Sequence, residues 1–110
     1  MSTTPRAVVI YQDARGREPF TAWLGRQDAT LRSAVLRRLG RVADGLLGDT
    51  RPVGSGVQEL RFAAGGGCRV YFGQDGARVV VILCAGTKRT QRRDIDRAQA
   101  CWRDYLEAKP

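Results

Sequence analysis

Arg61 and Arg69 are the residues of this sequence whose type and spacing first suggest chemistry. Residues 57–63 and 68–74 alternate apolar and polar side chains, so each reads as a strand. Alternation puts Val57, Glu59, Arg61 and Ala63 on one face of the first strand, and Arg69, Tyr71 and Gly73 on one face of the second. Leu60, Phe62, Val70 and Phe72 then form the core side, and Glu59, Arg61, Arg69 and Tyr71 the outer side. Only seven residues separate Arg61 from Arg69, so antiparallel pairing brings the two guanidiniums together. Like charges placed this way repel unless an anion is shared between them. Phosphate suits, because guanidinium grips its oxygens in a planar, bidentate fashion. Tyr71, on the same face, is a candidate for stacking on a base. The alternative is two solvated arginines, one of them paired with Glu59.

A second group is Lys88-Arg89-Thr90-Gln91-Arg92-Arg93, four cations with no acid, at the opening of the last helix. Free N–H groups and the helix dipole make that end attractive to anions and costly for cations. Clustered cations there point to a phosphate ligand; the plainer reading is a basic surface loop. The chain has no histidine, which removes Ser-His and Cys-His pairs and imidazole metal ligands. Proton transfer must fall to a carboxylate, Lys, Arg, Tyr or Cys. Cys68, Cys84 and Cys101 are too widely spaced for a zinc pattern and odd in number for a disulfide framework. Cys84 and Cys101 read as small core residues. No metal and no cofactor is called for.

The elements that must hold these groups follow from periodicity. Residues 6–12 read as a first strand, and Pro19 opens a short helix whose Phe20, Trp23 and Leu24 share a face. Asp28 is a good N-cap for a second helix, with Leu31, Val35, Leu39, Val42 and Leu46 as its buried stripe. Arg32, Arg37, Arg38 and Arg41 cover the rest of that helix, and Arg37, Arg38 and Arg41 are further candidates for contact with RNA. Gly45 and Gly48 end the helix, and 48–56 reads as a loop. Gly65-Gly66-Gly67 turns the chain between the two strands already described, and Asp75-Gly76 signals a type I′ hairpin. Residues 77–85 are the most apolar strand. A closing helix over 91–106 carries Ile95, Ala98, Trp102 and Tyr105 on one face. Trp23 and Trp102 are expected in the core. The order β-α-α-β-β-β-α predicts an α+β fold, a mostly antiparallel sheet packed by helices, with residues 1–110 as one domain.

Composition sets bounds on the partners. Lys plus Arg outnumber Asp plus Glu by 19 to 11, for a net charge of +8, which favours polyanions. Arginine makes up 17 of those 19 cations, an excess that GC-rich coding alone also produces, so placement carries more weight than the total. Four apolar residues after Arg6 make neither a signal peptide nor a membrane span, so the cytoplasm is expected and no membrane partner.

Taken in order, several segments resemble the RelE/ParE superfamily of type II toxin–antitoxin toxins, nearest to the HigB-like addiction module killer proteins. They are Pro19-Phe20-Thr21-Ala22-Trp23-Leu24, Gly48-Asp49 through Pro52-Val53-Gly54, and Gly56-Val57-Gln58-Glu59-Leu60-Arg61. They continue as Cys68-Arg69-Val70-Tyr71-Phe72, Gly86-Thr87-Lys88-Arg89-Thr90-Gln91 and Asp94-Ile95. The resemblance implies a compact α+β toxin that cleaves mRNA on the ribosome. It also implies a cognate antitoxin, commonly with a helix-turn-helix domain, that neutralises the toxin in a hetero-oligomer. It makes Arg69 a catalytic residue and Lys88 and Arg89 part of the basic loop. RelE-like enzymes use a tyrosine in their C-terminal segment; Asp94 or Ile95 stands at that position here.

These residues suit a transesterification in which the RNA 2′-OH attacks its own 3′-phosphate. Arg69 and Arg61 would stabilise the phosphorane, Lys88 and Arg89 would hold flanking phosphates, and Asp94 would serve as base, with Tyr71 as an alternative acid. Arg92 and Arg93 extend the RNA contact. Two other readings stand beside this one: a ParE-like inhibitor of DNA gyrase without RNase activity, and a non-catalytic nucleic-acid-binding module.

Overall fold

A computed structural model of the protein describes residues 5–63 and 67–110. Strand β1 (Ala7–Ile10) leads to helix α1 (Pro19–Gly25), which Pro19 opens, and then to helix α2 (Ala29–Ala43). The Asp28 carboxylate accepts the Leu31 N–H at 2.8 Å, the cap expected at the start of α2. The helix ends at Gly45, whose φ of 89° lets Leu46 N–H reach back to the Arg41 carbonyl. Leu46 thereby leaves the buried stripe and is exposed.

Four strands follow: β2 (Thr50–Pro52), β3 (Val57–Arg61), β4 (Arg69–Asp75) and β5 (Val79–Gly86). Strand β2 lies where a loop was expected. Three residues of it pair with β3 at the sheet's edge, where Pro52 is tolerated because its missing N–H has no partner to serve. The sheet order is β1-β5-β4-β3-β2, antiparallel except for β1 against β5. The expected fold class, α+β with a mostly antiparallel sheet, is the one observed, with one strand more. The β3–β4 turn at Gly65 and Gly66 lies outside the described residues. The β4–β5 turn is not type I′: Gly76 has φ of 70° but Asp75 does not take positive φ, and three residues join Asp75 to its partner Val79. A short 3₁₀ turn (Lys88–Thr90) then leads into helix α3 (Gln91–Ala108).

Both faces of the sheet are covered. Phe20, Trp23, Val35, Leu39 and Val42 from α1 and α2 pack on Leu60, Val70, Phe72, Val80 and Ile82. On the other face, Ala98, Cys101 and Trp102 of α3 pack on Val57, Tyr71, Val81, Leu83 and Cys84. The indole of Trp102 lies over Gly73, where any Cβ would overlap it. The side of β3 and β4 expected to face outward is therefore a second core. Glu59, Arg69 and Tyr71 are all buried in it, and Tyr71 has no exposed surface, so it is not a base-stacking platform. All three cysteines are free and buried, and burial pushes the Cys68 thiol up to about 11 and the Cys84 thiol up to about 12. Among the described residues no helix is long and apolar enough to cross a membrane.

Candidate nucleic-acid interface

Arg61 and Arg69 are direct partners in the β3–β4 register, as the antiparallel pairing predicts. The anion they share is a residue of the protein. Glu59 Oε1 lies 3.2 Å from Arg61 Nε and 3.5 Å from Arg69 Nε. Its Oε2 accepts from the Tyr71 hydroxyl at 3.1 Å and from Gln91 Nε2 at 2.7 Å. Glu59 is 1% exposed, so these donors replace the water its carboxylate has lost. Two guanidiniums against one carboxylate leave one positive charge over.

The two arginines differ in access. The Arg61 side chain is 26% exposed and that of Arg69 only 7%. Arg69 donates from Nη1 to the Gly67 carbonyl at 2.6 Å, while its Nε is buried with no hydrogen-bond partner among the described residues. Gly67 also brings Lys88 to this place. A Cβ on Gly67 would stand 3.2 Å from Arg69 Nη1 and 3.4 Å from Lys88 Cβ. Tyr71 is held protonated. Burial raises its pKa most, followed by the charge of Glu59, the hydrogen bond to Glu59 and the charge of Asp94.

Asp94 reaches the same row of the sheet from above. Tyr71 opposes Cys84 and Phe72 opposes Ile82, so Leu83 is the extra residue of a bulge in β5. The bulge turns Gly86 to the α3 side, opposite Arg69. The Asp94 carboxylate occupies the place of the missing Gly86 Cβ and accepts the Thr90 hydroxyl. It is buried and forms part of the wall of a cleft of about 200 Å³ that also includes Thr87, Arg93 and Arg97. Arg61, Arg69, Lys88 and Asp94 thus gather at one end of the sheet, where β3 ends, β4 begins and α3 starts.

The remaining expected RNA contacts divide into two groups. Arg89, Arg92 and Arg93 are exposed and, with Thr90 and Asp96, line an open depression of about 470 Å³ at the head of α3. Arg37 and Arg41 are exposed on α2, across the sheet from α3. Arg38 is half-buried: it donates to the Arg61 carbonyl at 2.8 Å and to the Leu47 and Asp49 carbonyls at 3.4 Å, with its guanidinium 5.0 Å from the Phe62 ring centre. Its donors tie the segment before β2 to the end of β3. Sequence reasoning paired Glu59 with one arginine only as the alternative to a phosphate ligand, and assigned neither Glu59 nor Gln91 a part in the site. The available signal was a glutamate on the same strand face as Val57, opposite a tyrosine, which suits a buried counter-ion better than a solvated one.

An uncharacterized protein of Haemophilus influenzae is 35% identical to the chain over 81 residues, 73% of this chain and 82% of that protein. Residues 22–103, which run from within α1 through α2 and strands β2–β5 into α3 as far as Arg103, match the phage-derived protein Gp49-like family (DUF891). By that match the chain belongs to the Gp49-like family.

Proposed function

We propose that this Gp49-like protein is the toxin of a type II toxin–antitoxin pair of RelE/HigB kind. In this reading it is a metal-independent endoribonuclease that cuts mRNA on the ribosome and so stops translation. It acts in the cytoplasm and is held inactive by a cognate antitoxin with a helix-turn-helix domain. The observation that carries the reading is the meeting of Arg61, Arg69, Lys88 and Asp94 at one end of the sheet, beside the basic head of α3.

In the reaction, the 2′-oxygen attacks the adjacent phosphorus and the bond to the 5′-oxygen breaks. The products are a 2′,3′-cyclic phosphate and a 5′-hydroxyl. Asp94 takes the 2′ proton. The leaving 5′-oxygen needs a proton in return. In this reading Lys88 supplies it, since Lys109, the other lysine, is tied to Asp75 at the far end of α3. Arg61 and Arg69 stabilise the charge that builds on the phosphorane oxygens. Arg89, Arg92 and Arg93 hold flanking phosphates. Without histidine the acid–base contribution is modest, and positioning on the ribosome supplies much of the rate.

Controlled expression in a bacterium, with mRNA 5′ ends mapped as growth is followed, tests this. Wild type is expected to stop growth and leave new 5′ ends within translated messages. Arg69→Ala is expected to cut the cleavage rate by about 10²–10³-fold, the usual loss when one transition-state donor is removed. Growth arrest without new 5′ ends, together with blocked supercoiling by purified gyrase, would overturn it in favour of the gyrase reading. No arrest at all would leave a binding module.

A further inference from the structure

Glu59 does more than fill a core position, and the inference below rests on the RNA reading above. We propose that Glu59 is an exchangeable counter-ion: it holds Arg61 until an RNA phosphate takes Arg61 away, and then closes on Arg69. It is a positioning residue, with no proton transfer assigned to it, because its Oε2 already accepts two hydrogen bonds and its Oε1 lies in ion pairs with both arginines.

Three observations carry this. First, the two ion pairs are unequal. Arg61 is the more exposed partner and can leave by rotating its side chain, whereas Arg69 is enclosed and fixed to the Gly67 carbonyl. Second, the departure of Arg61 does not strand a buried charge. Glu59 keeps Arg69 at 3.5 Å, the Tyr71 hydroxyl and Gln91, so the usual heavy cost of breaking a buried pair is avoided. Third, the resting arrangement leaves a donor unmet among the described residues. Among the described residues Arg69 Nε is buried without a hydrogen bond, and the nearby carboxylate oxygen, Glu59 Oε1, is shared with Arg61. Once Arg61 goes, that oxygen is free to align on Arg69 Nε, and the unmet donor is satisfied. Gln91, the first residue of α3, links the exchange to the helix head that carries Arg92 and Arg93.

The test uses a short single-stranded RNA with 2′-O-methyl groups, which cannot be cut, and fluorescence anisotropy over a range of salt. Glu59→Gln keeps the shape and the contacts to Tyr71 and Gln91 but no longer competes for Arg61. It is expected to bind this RNA about fivefold more tightly than wild type with the same salt slope, because Arg61 meets the phosphate in both. In an Arg61→Ala background the same change is expected to alter affinity less than twofold. A general effect on packing would persist there. Equal affinity of folded wild type and Glu59→Gln overturns the exchange while leaving the RNA reading intact. Failure of folded wild type to bind the RNA overturns both. Should Glu59→Gln fail to fold, the ¹⁵Nε–H signals of Arg61 and Arg69 in the wild-type protein decide. On adding the RNA both should move, Arg69 in the direction of a stronger hydrogen bond. An Arg69 signal that stays in place while the RNA is bound overturns the proposal.

Discussion

Individual side chains in this protein are held by the absence of atoms as much as by their presence. Asp94 has its place only because Gly86 has no Cβ, and Thr90 is there to donate to it. Gly86→Ala should therefore push the carboxylate out of the row that Arg61 and Arg69 occupy. Overpacking of this kind costs about 1–3 kcal/mol, and a thermal melt of the variant should show the loss. On the proposed mechanism mRNA cleavage falls with it, and an unchanged melting temperature would mean that Asp94 is not confined as described. The arginines of α2 separate on the same reasoning. Arg38 supplies three carbonyls with donors and covers Phe62, whereas Arg37 is exposed. Arg38→Ala is expected to cost about 2 kcal/mol of stability in urea unfolding, and Arg37→Ala less than about 0.5 kcal/mol. A stability loss for Arg37 equal to that for Arg38 would contradict the assignment.

Helix α3 ties the site to the rest of the sheet, so its fastening at the far end matters. Asp75 accepts from Tyr105 at 2.7 Å and from Lys109 at 2.6 Å. These hydrogen bonds, that to Lys109 foremost, lower the Asp75 pKa below the ordinary carboxylate value. A carboxylate depressed in the folded state stabilises the fold above its unfolded pKa, and that support is lost as pH falls through the folded value. The end of α3 should thus be fastened above about pH 4 and loosen below it. Amide protection near Tyr105 should fall there first, and Asp75→Asn should reproduce that loss of protection at neutral pH. The presence of this helix was legible in the sequence from Ile95, Ala98, Trp102 and Tyr105, and so were the alternation of β3 and β4 and the Arg61–Arg69 register. What covers the second face of the sheet was not. Alternation separates two faces of a strand but does not say that only one is buried. The signal was in β5, where an unbroken apolar run needs cover on both sides. Strand β2 stayed hidden because three residues containing a proline carry no period. The bulge at Leu83 stayed hidden because it depends on pairing, and with it went the placement of Gly86 beneath Asp94.

At the scale of the whole molecule, cations lie on two sides of a body only 24 Å through its shortest axis. The head of α3 presents Lys88, Arg89, Arg92 and Arg93 beside the paired arginines, whereas Arg37 and Arg41 lie on α2 beyond the sheet. On the proposed function, a short RNA strand held at the head of α3 would not also run over α2, so the net charge of +8 would overstate what one strand can feel. Binding to single strands weakens with salt by a slope of about 0.7 per phosphate neutralised. Four cations at the head, together with Arg61, should give a slope of about −3.5 for a short RNA, and removing Arg92 and Arg93 together should reduce its magnitude by about 1.4. Removing Arg37 and Arg41 should leave that slope unchanged. If those two residues instead meet ribosomal RNA, the same double substitution should weaken binding to ribosomes while sparing the short strand. Equal loss of slope from either pair would show that the cations act through their sum. Loss from the α3 pair alone would assign the RNA contact to their position at the end of the sheet.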